Sequence, residues 1–328
     1  MTTDLDKGAN ASAESRAVSL EVRLGGIVLR NPVLAASGTY GYGAEYRGFV
    51  DNGTIGGFVT KSVTPRARRG NPHPRVAETP AGMLNSIGLE NPGIDEFLAH
   101  DWPQVLEEPC VPILSIAAGA VEEYVEMCAK AERAGGVRAI EVNLSCPNVK
   151  EGGRTFGQDP VAVEKIMKGC KEATGAFLIA KLTPNADSVA IARGAEAGGA
   201  DGLSLINTLL GMGVDVEQRK PLLAMGMGGL SGPAVKPVAL AVTYQVARAV
   251  KLPIIGIGGI SNWRDAAEFL IVGATAVQVG TALFANPRAM NEIIAGLTDY
   301  CIRHGHDSIT DVTGTLERGD LIEEGAAG

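Results

Sequence analysis

Eight short apolar segments, most rich in valine and isoleucine, recur along the chain, and their alternation with helix-like stretches constrains the fold more than any other feature. They are Pro32–Ser37, Gly57–Ser62, Val111–Ala117, Ala139–Ser145, Phe177–Leu182, Gly202–Ile206, Ile254–Ile257 and Ala276–Val279. Each has the length of a strand buried on both faces rather than of a helix. Between most of them the apolar spacing is near 3.6, at Glu122–Ala134, Val161–Ala173, Ser188–Ala197, Lys236–Val250, Trp263–Val272 and Arg288–His304. The run AVEEYVEMCAKAERAG keeps its apolar residues on one helical face and stops at Gly135. Eight buried strands alternating with helices predict an α/β fold, a parallel (β/α)8 barrel, with an open doubly wound sheet as the alternative. A length of 328 residues suits one such barrel of about 250 residues with insertions and tails.

The expected division is a flexible tail over 1–18, one barrel domain over 19–305 and a C-terminal extension over 306–328. The first sixteen residues are small and polar and lack an apolar signal core, which predicts that the chain is not secreted. No apolar run approaches the ~18 residues of a membrane span. An N-terminal hairpin is expected from Leu20–Leu24, Gly25-Gly26 and Ile27–Arg30, closing one end of the barrel. Two long insertions, Thr64–Trp102 and Leu209–Pro233, follow the second and sixth strands. Both leave strand C-termini, the end where barrels build active sites, and are expected to act as lids or substrate loops.

Composition excludes several classes. The net charge of −8 argues against a general nucleic-acid binder, and aromatic residues at 5% argue against a stacking platform for sugars or single strands. Glycine, 43 of 328 residues, is nearly twice the usual ~7%, which implies sharp turns or close backbone approach to a ligand. Five widely spaced cysteines without a CxxC or a Cys/His cluster point to free thiols in a reducing cytoplasm and to no metal or iron–sulfur site on this chain.

The strand ends carry the chemistry. Thr60-Lys61-Ser62, Asn143-Leu144-Ser145-Cys146-Pro147-Asn148, Lys181 and Asn207-Thr208 would converge on one barrel mouth, where amides, cations and a thiol are costly unless paired or ligated. Gly256-Ile257-Gly258-Gly259-Ile260-Ser261 after the seventh strand and Gly280-Thr281-Ala282 after the eighth suit a phosphate held by backbone N–H groups and a helix N-terminus. The two lysines fit either the anionic N1–C2=O edge of a reduced flavin or Schiff-base chemistry. Asn85, Asn143, Asn148 and Asn207 offer donors and acceptors to a flat ring of alternating C=O and N–H groups. Cys146, with an unperturbed thiol pKa near ~8.5, is placed as nucleophile or general base. None of His73, His100, His304 and His306 stands where it would activate that thiol, which disfavours Cys–His and Ser–His–Asp hydrolases. Cys110, Cys128, Cys170 and Cys301 are assigned to packing. The basic run Arg66-Ala67-Arg68-Arg69 with Arg75 reads as a solvated loop, an anionic-substrate path or a partner surface.

Together these stretches resemble the catalytic subunit of class 1 dihydroorotate dehydrogenase: NPVLAASGTYG, TKSVT, NSIGLEN, NLSCPN, KLTPN, INT, GGLSG, GIGGI and VGTA, spanning about residues 20–300. The cysteine of NLSCPN is similar to the soluble class. The resemblance implies one FMN per chain and oxidation of (S)-dihydroorotate to orotate. Cys146 would remove the C5 proton while hydride leaves C6 for flavin N5, with Lys61 beside it in the catalytic set. It further implies FMN contacts at Ser37, Lys61, Ser62, Asn143, Lys181, Ile206, Gly232, Gly258, Gly259, Gly280 and Thr281, and at Ser115, where relatives often carry asparagine. Implied substrate contacts are Lys61, Asn85, Ile87, Gly88, Leu89, Asn143, Asn148, Asn207 and Thr208. The stretch Ile206–Leu240 looks like subclass 1B, in which a partner subunit with FAD and a [2Fe–2S] cluster passes electrons to NAD+ and a catalytic dimer forms the centre of a heterotetramer. GIGGI lacks the GxGxxG spacing of a dinucleotide site, consistent with a partner-supplied NAD site. Alternatives are a dihydropyrimidine dehydrogenase subunit, the fumarate-linked class 1A, a Schiff-base lyase and a non-catalytic flavin-binding subunit.

Overall fold

The computed structural model describes residues 17–145 and 156–317. The chain opens with an antiparallel hairpin, β1 (Val22–Leu24) and β2 (Ile27–Leu29), paired Leu24 to Ile27 across its turn. Gly25, at φ +54, takes the left-handed conformation of that turn, and a Cβ there would stand 2.6 Å from the ring of Phe177. The hairpin is therefore seated on the start of a barrel strand and covers the N-terminal end of the barrel, as its sequence implied.

Next come β3 (Val33–Ala35), β4 (Gly57–Val59), the insertion strands β5 (Val76–Thr79) and β6 (Gly82–Asn85), then β7 (Val111–Ile116), β8 (Ala139–Asn143), β9 (Phe177–Lys181) and β10 (Gly202–Leu205). Four more insertion strands follow, β11 (Leu209–Met212), β12 (Val214–Asp215), β13 (Lys220–Pro221) and β14 (Met227–Ser231), before β15 (Ile254–Ile257) and β16 (Ala276–Val279). The eight parallel strands close in the order β10-β15-β16-β3-β4-β7-β8-β9. This is the (β/α)8 barrel, and every residue of β3, β4, β10, β15 and β16 is buried, the signature of strands covered on both faces.

The outer helices begin on side chains that accept their first free N–H groups. Asp159 caps Pro160–Ala173, Asp187 caps Ser188–Ala197, and Asn262 with Asp265 forms a capping box on Trp263–Ile271. Helix Ala289–His304 stops at Gly305 in the left-handed conformation. Helix Val121–Ala134 buries Tyr124, Met127, Cys128 and Ala131, and Pro160–Ala173 buries Val163, Ile166, Met167 and Cys170. The Cys128 and Cys170 thiols lie within hydrogen-bonding reach, and that contact together with burial pushes the Cys128 thiol well above the usual range. Burial likewise pushes Cys110 up to about 12 and raises Cys301, so all four of these cysteines are packing residues.

Strands six to eight of the sequence reading nearly coincide with β10, β15 and β16, whereas most earlier ones run one to three residues short of their expected C-terminal ends. The trimmed residues include the polar Ser37, Thr60, Lys61, Ser62 and Ser145. At Thr60–Ser62 and Leu144–Ser145 the chain leaves the closed ladder to line the mouth. Residues 306–317 pack onto the barrel, with Ser308 bridged to Ser19, Ile309 and Val312 buried, and the Gly314 N–H donating to Leu270 O.

The two insertions are not independent loops. They combine into one antiparallel sheet, β11-β14-β6-β5, with Gly229 of β14 opposite Asn85 of β6. Neither insertion contains a self-sufficient hairpin signal for this pairing, because the partner strand lies more than a hundred residues away. The outer side of this region exposes Leu210, Met212, Val214, Val216, Met225 and Met227.

Barrel closure depends on close backbone approach at Gly57, where a Cβ would lie 2.4 Å from the Val111 carbonyl oxygen of the adjacent strand. Gly57→Ala is expected to lower unfolding stability by about 1–3 kcal/mol. Gly48→Ala, with open space around the added methyl, is expected to leave the urea midpoint unchanged.

Candidate active site

Three adjacent strand ends join through hydroxyls. Ser37 Oγ donates to Thr60 O at 2.8 Å and lies 3.3 Å from Ser62 Oγ, which lies 2.8 Å from Ser115 Oγ. The Ser115 N–H donates to Thr60 Oγ1 at 3.0 Å. Ser37, Ser62 and Ser115, on or just beyond β3, β4 and β7, thus form one chain of hydroxyls, and Ser115 is a buried link in it.

On the next two strands of the barrel, Asn143 ends β8 opposite Lys181 at the end of β9. Asn143 Oδ1 accepts from the Ser145 N–H at 3.1 Å and from Asn207 Nδ2 at 3.3 Å. Asn207 Oδ1 in turn accepts from the Thr208 N–H at 2.7 Å. The Tyr124 hydroxyl donates to Asn143 O at 2.7 Å, anchoring the strand end from the helix behind it.

Below this pair lies a polar cluster that sequence reading did not assign. Lys181 Nζ donates to Glu141 Oε1 at 3.1 Å, with the side chains 8% and 0% exposed. Glu141 Oε2 also accepts from Ser204 Oγ at 2.9 Å and from Gln278 Nε2 at 3.1 Å. Four strands, β8, β9, β10 and β16, therefore meet on one carboxylate. Removing one partner of such a buried pair costs about 3–5 kcal/mol, because the other charge is left unpaired. In the sequence Glu141 shows only as a carboxylate within the strand Ala139–Asn143.

The two glycine loops stand at the ends of β15 and β16. Gly258 and Gly259 have φ +128 and +73, conformations that a side chain disfavours. The N–H groups of Gly258, Gly259, Gly280 and Thr281 donate to no protein acceptor among the described residues. Such N–H groups together make a ready anion cradle. Thr281 Oγ1 donates to Ser231 Oγ at 2.8 Å, beside Gly232 at φ +100. The expected helix N-terminus contributes less than foreseen. Asn262 Oδ1 accepts from the N–H groups of Arg264 and Asp265, and Asp265 Oδ2 accepts from those of Ser261 and Asn262, so the start of helix Trp263–Ile271 is satisfied by its own cap. Lys236 is held by Asp265 and Glu268. The cradle is therefore backbone of the two loops, ending at Thr281 before the short helix Ala282–Ala285, rather than lysine or the start of helix Trp263–Ile271. Ile206 is buried just past β10, its N–H donating to Ile257 O.

The loop Ile87-Gly88-Leu89 turns through positive φ at Gly88 (+81) and Leu89 (+55). Buried Asn91 pins it. Its Nδ2 donates to Leu89 O and to Thr64 Oγ1, both at 2.7 Å, and its Oδ1 accepts from the N–H groups of Thr64 and Gly93. Asn85 Nδ2 reaches Gly229 O at 3.4 Å, so the loop is carried by the insertion sheet. Lys61 and Ile87 line a cleft of about 500 Å3 with His73, Arg75 and Glu90. Arg75 Nη1 donates to Glu90 at 2.6 Å and, by hydrogen bond and charge, holds that carboxyl below the usual range. Of the basic run, Arg75 thus belongs to the cleft beside Lys61.

Cys146 and Asn148 lie outside the described residues. The residues flanking that stretch do meet, since a Cβ on Gly157 would lie 2.5 Å from Leu144 O. The chain leaves and rejoins the described structure at the end of β8, next to Asn143. Among the described residues no group of His, Cys, Asp and Glu could hold a metal ion, and no helix is long and apolar enough to cross a membrane.

The family model for dihydroorotate dehydrogenase matches residues 19–300. Similar proteins include one from Phocaeicola vulgatus, 48% identical over 91% of this chain and 99% of the relative. Another, from Parabacteroides distasonis, is 48% identical over 91% and 98%. A third, from Alkaliphilus metalliredigens, is 50% identical over 91% and 99%. Each is named dihydroorotate dehydrogenase B (NAD(+)), catalytic subunit.

Asn91 gives the site a stability test. Asn91→Ala strips two buried N–H groups of their acceptor and is expected to lower stability by about 3 kcal/mol, read from the urea midpoint.

Proposed function

The chain belongs to the dihydroorotate dehydrogenase family, and on that premise we propose that it oxidises (S)-dihydroorotate to orotate in de novo pyrimidine (UMP) biosynthesis, with FMN as its cofactor and NAD+ as final acceptor. The observation that carries the cofactor reading is the set of free N–H groups on Gly258, Gly259, Gly280 and Thr281 at the mouth that also holds the Lys181 ammonium. A phosphate on the loops and an electron-rich ring edge near the lysine is what that donor set fits. Ser37, Lys61, Ser62, Ser115, Asn143, Ile206 and Gly232 would complete the FMN site. When bound, FMN supplies the hydride acceptor at its N5.

The remaining chemistry is the chain's own. Lys61, Asn85, Asn143, Asn148, Asn207 and Thr208, with the Ile87-Gly88-Leu89 turn, would hold the substrate. Their amides match the alternating carbonyl and N–H edges of the pyrimidine ring, and the Lys61 ammonium meets its carboxylate. Two observations support this role. Lys61 has no carboxylate within ion-pair distance among the described residues, and its charge is felt by Glu90 across the cleft. The Cys146 thiolate takes the C5 proton, hydride leaves C6, and the electron pair of the C5–H bond forms the C5=C6 double bond of orotate. A partner subunit carrying FAD and a [2Fe–2S] cluster would supply the path for the two electrons to NAD+. A separate partner accords with relatives named as catalytic subunits. The exposed apolar side chains of the insertion region supply a face for subunit contact in a heterotetramer built on a catalytic dimer. This reading places the protein in the cytoplasm and the active unit in residues 19–305.

Anaerobic dihydroorotate is expected to bleach the flavin absorbance of the purified protein, and dihydrouracil is expected to leave it unchanged; the reverse order would favour a dihydropyrimidine dehydrogenase. Cys146→Ala should slow that bleaching by about 10²–10⁴-fold while FMN stays bound. For the parent protein the rate should rise with pH as the thiolate fraction grows. Because Cys110, Cys128, Cys170 and Cys301 are all buried, native alkylation should label one thiol per chain in the parent and none in Cys146→Ala.

A further inference from the structure

We propose that Glu141 is a positioning residue that acts through Lys181 to hold down the reduction potential of the flavin; this rests on the FMN reading above. The geometry is specific. Glu141 has no solvent exposure and receives donors from three other barrel strands, Lys181 at 3.1 Å, Ser204 at 2.9 Å and Gln278 at 3.1 Å. A carboxylate so placed has donors on both of its oxygens. Lys181 is the group whose charge would stabilise added electrons on the ring, and the carboxylate 3.1 Å from its Nζ offsets that charge inside a low-dielectric core. The ammonium is also confined to one place, because its partner is itself fixed from β10 and β16.

The pair thus does two things that a lone lysine could not. It keeps a cation in a buried layer just below the mouth, where an unpaired charge is costly. It also limits how strongly that cation favours the reduced state, leaving electrons free to move on to an acceptor. Gln278 fits this role. Its Nε2 is committed to Glu141, while its Oε1 is buried and without a partner among the described residues. An amide that leaves its own acceptor unsatisfied to donate to a carboxylate indicates that this layer of the barrel is built around that carboxylate.

The test measures the two-electron midpoint potential of the flavin-loaded protein by equilibration with a reference dye. Glu141→Gln is nearly isosteric and removes only the charge. It is expected to raise the potential by about 30 mV or more, a tenfold change in the reduction equilibrium. Ser204→Ala keeps both charges and removes one donor from the carboxylate, which strengthens its field at Lys181. It is expected to lower the potential. Loss of packing alone would move both variants in the same direction, so opposite signs support the proposal and equal signs overturn it. Should Glu141→Gln fail to fold, Ser204→Ala carries the test alone, and an unchanged or raised potential overturns the proposal. A parent protein that takes up no FMN overturns the cofactor reading and this inference with it. A flavin-loaded parent whose potential Glu141→Gln leaves unchanged overturns the inference alone.

Discussion

Parallel pairing of β16 with β3 shuts the sheet into a cylinder, and the arrangement of the site depends on that closure. In a closed parallel barrel every strand ends at the same rim. Residues scattered from Ser37 to Thr281 are brought together because each stands at or just beyond a strand terminus, not because of any local attraction between them. The closure in turn requires backbones to approach closely, which is why glycine occupies Gly57 and Gly56, where even a methyl group would strike a neighbouring carbonyl.

A cylinder filled only by hydrocarbon would have no charges to pair in its core. The interior here accommodates a buried lysine, a buried glutamate, a serine and a glutamine, joined so that both charges are paired. Replacement of such a cluster by apolar residues is often neutral or stabilising in other proteins. Its presence directly beneath the mouth therefore points to chemistry rather than to folding. The same contrast separates the cysteines. Four are buried in apolar packing, and the fifth belongs to the stretch that departs from the end of β8 beside Asn143.

The rim is finished by elements that do not belong to the barrel. The insertions after β4 and β10 pair as β6 and β14, and this shared sheet supports Asn85 and the Ile87-Gly88-Leu89 turn. Asn91 locks that turn to Thr64 at the base of the first insertion. The loops after β15 and β16 present N–H groups without a protein acceptor among the described residues, while the adjacent helix caps itself. The polar rim thus has a backbone-lined anion side and a side-chain-lined side, a division suited to a ligand with a phosphate at one end and a flat ring at the other.

Much of this was readable in the chain. Segments such as Ile254–Ile257 and Ala276–Val279 announce buried parallel strands by composition and length alone, and the polar residues after them mark the functional end. The motif residues Lys61, Asn143, Lys181 and Asn207 could be named because polar groups at the ends of apolar strands need a reason to be there. Three things needed the folded molecule. The β6–β14 pairing joins segments too far apart for any local pattern to register. The convergence of Lys181, Ser204 and Gln278 on Glu141 depends on the stagger of strands around the cylinder. The self-capping of helix Trp263–Ile271 depends on side-chain rotamers. Local patterns dictate which elements form and which ends are polar, because those follow from spacing along one chain; which distant groups share a hydrogen bond follows only from register and closure, and those exist only once the barrel is shut.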